Sequence, residues 1–190
     1  MPARLTKGLA AQHRQDLADV LPYLACGEES AVYAFTGRLQ SALPEEAAQV
    51  LQRIADDEQG HADLIATIQA ELPAAQASIS PLRLAHFFRR IEAATPAEHL
   101  ARVAALDLAV CKLLQPLLRI GSPISQAPLL HGAMCDLRQD EARHVRLTRA
   151  LAQQMGLSAA QQAALNLDMQ QRLQRLIQPV QAALQRLRGH

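Results

Sequence analysis

The sequence is poor in aromatic residues. Of 190 residues none is Trp, two are Tyr and three are Phe, whereas 36 are Ala and 31 are Leu. Because Ala and Leu favour helices and aromatic residues favour strands, this composition predicts an all-α fold. The length suits one domain of ordinary size, so we expect a single helical domain over residues 1–190.

An excess of charge of one sign is also lacking. Lys and Arg together number 19 and Asp and Glu 18, which gives a net charge of +1. Such a chain has no strong field to attract nucleic acid or an anionic membrane. The first twenty residues lack the apolar core of a signal peptide, and no stretch approaches the roughly 18 uncharged apolar residues of a spanning helix. We therefore expect a soluble cytoplasmic protein without nucleic-acid or membrane partners.

Cysteine is scarce as well. Cys26, Cys111 and Cys135 lie far apart, without the spacing of a zinc site, a redox motif or a disulfide framework. We expect them to be reduced core residues.

Proline and glycine divide the chain into helical blocks. A leading helix from about residue 9 is expected to end at Leu21-Pro22. Two helical hairpins are then expected at about 23–72 and 96–155, with turns near residue 42 and at Gly121 to Pro128. A short helix at about 81–94 lies in the long crossover between the hairpins, and an accessory helix at about 158–188 is kinked at Pro179. Short connections make antiparallel neighbours, so this order predicts a four-helix bundle over about residues 20–155.

Four carboxylates and two histidines fall on faces where a solvated side chain is not expected. Successive helical residues rotate by about 100°, and each of these six lies inside the apolar stripe of its helix. On the second and fourth bundle helices a histidine follows a glutamate by three residues on the same face. Burying one unpaired carboxylate costs several kcal/mol, so the group needs a compensating cation. The six candidate metal ligands are Glu28, Glu58, His61, Asp107, Glu141 and His144.

The spacing of these residues allows them to meet at one level of the bundle. Glu28 and Glu58 are 30 residues apart, and Asp107 and Glu141 are 34 apart. In each hairpin the two carboxylates therefore lie at similar distances from the connecting turn. Mixed carboxylate and imidazole donors suit iron and manganese equally.

Two motifs include these residues, Asp57-Glu58-Gln59-Gly60-His61 and Asp140-Glu141-Ala142-Arg143-His144. Together with Glu28 and Asp107, they resemble the ferritin-like di-iron carboxylate superfamily, which includes bacterioferritin, rubrerythrin and the small subunit of ribonucleotide reductase. The resemblance covers about residues 20–155. It implies a ferritin-like four-helix bundle with a long crossover between the second and third core helices, plus extra N-terminal, crossover and C-terminal helices.

The resemblance also implies a cofactor of two Fe ions, or Mn ions, per chain. Glu58 and Glu141 would bridge the ions. Asp140 would orient His61, and Asp57 would orient His144 from the opposite hairpin. Glu29 competes with Glu28 as the first-helix ligand, although the apolar stripe favours Glu28. Asp107 stands where most relatives have Glu, which leaves one or two bound ions open.

The function implied is an oxidoreductase that activates dioxygen or peroxide. Its partners would be a small-molecule substrate, an electron donor and a second copy of the chain in a homodimer. Two alternatives remain, a ferroxidase or iron-storage protein and a structural bundle with a vestigial metal site. No catalytic residue beyond the metal ligands is predicted. Tyr33 is expected to pack, and Arg143 to face solvent or pair with Asp57 or Asp140.

Overall fold

The computed structural model describes residues 4–77 and 80–189, which form helices and connecting turns with no strand among them. The predicted all-α class is therefore confirmed for this part of the chain. The long helices are α1 (Ala11–Ala34), α3 (Glu45–Ala70), α5 (Pro96–Leu117) and α6 (Pro128–Gln154). The shorter ones are α2 (Arg38–Ser41), α4 (Pro81–Arg89), α7 (Ala159–Leu176) and α8 (Gln181–Arg188), with 3₁₀ turns at Pro123–Gln126 and Gln178–Val180.

The long helices form two hairpins. Helix α1 packs against α3, α5 packs against α6, and α3 contacts α6 between the hairpins. The long crossover carries α4; two of its residues, 78 and 79, lie outside the described part. Helix α7 packs on α5 and α4, while α8 packs on α1 and α5. None of the helices described is both long and apolar enough to cross a membrane.

The expected break at Pro22 is wrong. Helix α1 is continuous and contains Pro22, so among residues 4–34 no separate helix precedes it. Val20, Leu21 and Leu24 around the proline are all buried in the core. Because helix stability in proteins comes mainly from packing of the apolar face, that burial outweighs the backbone hydrogen bond that Pro22 cannot donate.

The first long helix also ends earlier than expected, at Ala34 rather than near residue 42. Gly37 immediately precedes α2, and its φ of 62° lies in the left-handed region that glycine adopts without strain. The four-residue α2 follows and packs on α3.

The C-terminal helices begin and divide at predicted residues. Ser158 and Gln161 form a capping box at the start of α7, with the Gln161 amide donating to Ser158 Oγ and the Ser158 amide to Gln161 Oε1. Pro179 lies in the 3₁₀ turn that separates α7 from α8. The Arg186 guanidinium then donates to both carboxylate oxygens of the buried Asp16, which ties α8 to α1.

Candidate metal centre

Four side chains from three helices meet inside the bundle. Glu28 extends from α1, Glu58 and His61 from α3, and Glu141 from α6. One ligand atom of each lies within 4.8 Å of the ligand atoms of the others, and all four residues are buried. The structure thus contains a buried group of three carboxylates and an imidazole with the size and chemistry of a metal site.

His61 lies at the centre of this group. Its Nδ1 is 3.2 Å from Glu141 Oε1 and 3.6 Å from one carboxylate oxygen each of Glu28 and Glu58. On the other side of the ring, Nε2 faces Asp140 Oδ2 at 3.5 Å. With its proton on Nε2, the imidazole therefore presents the Nδ1 lone pair to the carboxylates.

His144 repeats this arrangement on α6. Its Nδ1 is 2.9 Å from Glu58 Oε1, and its Nε2 is 3.2 Å from Asp57 Oδ2. The two imidazole centroids are 5.9 Å apart. Each histidine thus has Nδ1 on the carboxylate side and Nε2 beside an aspartate of the facing helix, which is the pairing that the superfamily resemblance implies.

Arg143 joins the two outer aspartates. Its Nη2 donates to Asp57 Oδ2 at 2.8 Å, and its Nη1 is 2.8 Å from Asp140 Oδ1. All three side chains are partly exposed. Arg143 was expected either to face solvent or to pair with Asp57 or Asp140. The structure shows it paired with both aspartates.

Asp107 on α5 is buried at the site but is not one of the group of four. It carries one methylene less than the glutamates, and its Oδ2 has no hydrogen-bond partner. Of the two candidates on the first helix, Glu28 is buried within the group and Glu29 is exposed.

The electrostatics of the site are those of buried acids and bases that lie close to one another. Burial and the charges of Glu141, Glu58 and Glu28 raise the pKa of Asp107 well above its usual range. Burial disfavours a charged His61, but contacts with Glu141, Glu28 and Glu58 outweigh it and raise the pKa to about 12. Burial likewise opposes ionisation of Glu58, whereas contacts with His144 and His61 lower its pKa to about 2.

Unpaired buried atoms concentrate at this point of the structure. Such atoms normally have a hydrogen-bond partner, so each exception needs an explanation. Among the residues described, the buried carboxylate and imidazole atoms without a partner all belong to this site, and the remaining unpaired atoms are arginine Nε atoms. A cation would satisfy lone pairs on all of them, so the residues present fit a metal. The five atoms are Glu58 Oε1, His61 Nδ1, Asp107 Oδ2, Glu141 Oε1 and His144 Nδ1.

The nearby cysteine does not extend the donor set. Cys111 is not in the group of ligand atoms, and burial, with the charges of Glu141 and Asp107, raises the pKa of its thiol to about 12. Its Sγ donates instead to the Arg138 carbonyl oxygen at 3.7 Å. All three cysteines are free and half-buried.

The carboxylates of the candidate metal group line a cavity that the sequence alone did not reveal. Its volume is about 1090 Å³, and its walls include Glu28, Glu58, Asp107 and Glu141. Tyr33 lies at this cavity and is 81% exposed, so the expectation that it packs is wrong. One feature of the sequence could have indicated the cavity: Gly27 is a glycine inside a helix, next to the candidate ligand Glu28.

Comparisons of the chain with protein-family models, curated proteins and solved structures found no match. The geometry of the buried Glu/His group therefore carries the functional argument.

Proposed function

We propose that this protein is a dinuclear metalloprotein of the ferritin-like di-iron carboxylate type, and that it is an oxidoreductase activating dioxygen or peroxide. The observation that carries the proposal is the buried group of Glu28, Glu58, His61 and Glu141, whose ligand atoms lie within 4.8 Å of one another. Asp107 and His144, buried beside the group, complete a set of six donors.

Charge balance supports two divalent ions. The four buried carboxylates carry four negative charges when ionised, and two neutral imidazoles add none. Two divalent cations would neutralise this set, whereas one would leave two uncompensated charges in the core. Glu58 lies between the histidines, with its two oxygens 3.6 Å from His61 Nδ1 and 2.9 Å from His144 Nδ1, which suits the bridging role that the resemblance implies for it and for Glu141.

The residues around the donors have distinct tasks. With a metal bound, Asp140 and Asp57 would accept the Nε2 protons of His61 and His144, which would leave both Nδ1 lone pairs for the metal. Buried apolar side chains on the same helices as the donors, such as Leu51 and Ile54 on α3 and Leu114 on α5, hold these helices together in the core. Two iron or manganese ions held here would supply the electrons that reduce dioxygen or peroxide.

Metal content tests this proposal. We expect elemental analysis of the protein, purified without added metal or chelator, to give about two Fe or Mn ions per chain. Glu141→Gln removes one donor charge without changing side-chain shape, and His61→Ala removes the central imidazole, so both variants should lose metal. Glu29→Gln alters the exposed neighbour of Glu28 and serves as the matched control that retains metal.

Loaded protein should also consume dioxygen after reduction. A large hollow assembly on a sizing column would instead favour iron storage, the alternative raised by the resemblance. Protein that is isolated without metal and takes up no iron(II) under anaerobic conditions would contradict the proposal and favour a structural bundle.

A further inference from the structure

The cavity beside the carboxylates is long and lies between helices. Its walls come mainly from α1, α4, α5, α7 and α8, and Glu58 of α3 and Glu141 of α6 also line it. Along α1 the lining residues run from Val20 to Ala34, a separation of 14 residues that corresponds to about 21 Å of helix. Glu28 lies between these ends, so the cavity passes the candidate metal ligands instead of ending at them. Its volume of about 1090 Å³ is slightly above the range of ordinary small-molecule pockets, roughly 300–1,000 Å³.

The two ends of the cavity differ in chemistry. One end is lined by apolar residues of the C-terminal helices and their link, including Leu173, Leu176, Val180 and Leu184. Apart from the four carboxylates, the acids and bases among the described lining residues are Arg89, Glu92 and His99. Arg89 and Glu92 lie at the end of α4 and just beyond it, and His99 lies in the first turns of α5, where its Nε2 meets the Ala34 carbonyl oxygen at 3.0 Å.

The polar end is also the end that reaches solvent. Tyr33, near the last turn of α1, lines the cavity and is 81% exposed. A tyrosine presents an apolar ring and a polar hydroxyl, which suits the boundary between an apolar cavity and water. The cavity therefore runs from a polar mouth, past the carboxylates, to an apolar end beneath α7 and α8.

Gly27 keeps the middle of this cavity wide. It lines the cavity, and a Cβ atom placed on it would have no neighbour within 4 Å. Glycine inside a helix costs about 0.5–1 kcal/mol relative to alanine, so its presence here needs a reason other than helix stability. Open space in front of the residue before Glu28 supplies one.

We propose that the cavity binds a long-chain aliphatic molecule, with its polar head at the Tyr33 mouth and its hydrocarbon chain passing the carboxylates. That this molecule is the substrate rests on the proposed function, but its binding does not. The cavity extends about 21 Å along α1; apart from Tyr23 and the carboxylates in its middle, its lining at the α7 and α8 end is apolar, whereas Arg89, Glu92 and His99 lie at the other end. That length and that difference between the two ends match an aliphatic chain with one polar head.

Displacement of a fluorescent fatty acid tests the binding. Cis-parinaric acid should fluoresce more strongly in the metal-free protein, and octanoate, dodecanoate and hexadecanoate should displace it in order of increasing affinity. Each additional buried methylene should tighten binding about fourfold until the chain fills the cavity. Cholate, a rigid ring system of similar apolar area, should compete weakly.

Two variants block the cavity and one serves as a control. Gly27→Leu places a side chain in the open space, and Ala31→Leu narrows the same wall one helical turn later. Each should weaken hexadecanoate binding at least tenfold. Gly132→Leu makes the same exchange at an exposed helical glycine, also with no neighbour within 4 Å, and should bind as the wild type does.

The outcomes separate this proposal from the proposed function. Failure of hexadecanoate to bind, equal weakening by Gly27→Leu and Gly132→Leu, or tighter binding of cholate would each overturn the aliphatic ligand. None of these binding results depends on metal, because the displacement is measured on metal-free protein. Chain-length-dependent binding by a protein that takes up no metal would support the cavity assignment and contradict only its role as a substrate site.

Discussion

Removal of Arg143 tests the outer part of the candidate metal centre. Arg143 bonds both Asp57 and Asp140, the aspartates that face the Nε2 atoms of the two histidines. Loss of such a supporting contact typically lowers metal affinity about 10- to 100-fold. We therefore expect Arg143→Gln to weaken iron(II) binding by that factor, measured by competition with a chelator of known affinity.

Arg146→Gln is the matched control for this prediction, because Arg146 is an exposed arginine on the same helix. Arg143→Lys should give an intermediate affinity, since an ammonium group cannot reproduce the planar fork that contacts two carboxylates. Urea midpoints should change little in all three variants, because the contacts of Arg143 are partly exposed. Equal iron affinities of the Arg143 and Arg146 variants would show that Arg143 does not position the ligands.

Residue positions at the candidate site could be predicted where the helical period decided them. The apolar stripe distinguishes Glu28 from Glu29, and the structure places the first in the core and the second in solvent. The stripe could not predict that Asp107 lies outside the group of four, because that depends on how closely α5 approaches α1 and α3. It also could not predict the exposure of Tyr33, which follows from the position of the cavity mouth.

At the scale of elements, Glu71 just beyond α3 holds the N-terminal segment by a charge-dependent contact. Its carboxylate accepts the backbone amides of Thr6 and Leu5 at 2.9 and 3.0 Å and the Thr6 hydroxyl at 3.0 Å. These hydrogen bonds, that of the Thr6 amide foremost, lower the pKa of Glu71 below 4.5. A carboxyl whose pKa is lower in the folded state stabilises that state above its unfolded pKa, and this stabilisation disappears as the pH falls through the folded value.

We expect the amide proton shifts of Leu5 and Thr6 to titrate together with a midpoint below pH 4.5, followed by two-dimensional NMR. In Glu71→Gln the amide side chain carries no charge, so this titration should vanish. Glu46→Gln, at an exposed position in the first turn of α3, should leave it unchanged. Persistence of the same titration in Glu71→Gln would assign it to another group and remove the charge dependence from this contact.

Element boundaries could be predicted where a local motif fixes them. Ser158 with Gln161 and Thr95 with Glu98 place the starts of α7 and α5, and the Thr95 hydroxyl accepts the Glu98 amide at 3.3 Å. Pro22 misleads because its local preference opposes helix while the buried residues around it favour one, and the tertiary contacts prevail. Local preference is a weak guide wherever packing contradicts it.

At the scale of the whole molecule, the cavity could not be predicted from sequence, because a void reflects how far apart helices lie and not which residues form them. The core residues of all the long helices are close to fully buried, as their apolar periodicity requires. The cavity lies between these same helices, lined on one side by α1 and on the other by α5. Composition was compatible with such a space, since small Ala and Gly side chains line part of it, but equally compatible with a filled core.

Removal of metal should change the stability of the whole protein. A ligand that binds only the folded state stabilises it by about 2.7 kcal/mol when present at 100 times its dissociation constant. For a protein of this length, each kcal/mol shifts the melting temperature by about 2–4 °C. We therefore expect chelation to lower the melting temperature by about 5–10 °C relative to protein with excess iron(II), measured by anaerobic differential scanning calorimetry.

Asp107→Asn should reverse the order of stabilities with and without metal. Without a cation, the pKa of the buried Asp107 carboxyl is raised well above its usual range, so this group must take up a proton on folding at neutral pH; a neutral amide avoids that cost and should stabilise the metal-free protein by about 0.5–2 kcal/mol. With iron(II) present the wild type should be the more stable protein, because the bound cation then compensates the negative charge of the Asp107 carboxylate. Asp168→Asn, in an exposed ion pair on α7, should change stability by less than about 1 kcal/mol in either state. A metal-free Asp107→Asn protein less stable than the wild type would mean that this carboxylate supports the fold itself, whereas the reversal would mean that the sequence retains a destabilising charge for the sake of a metal.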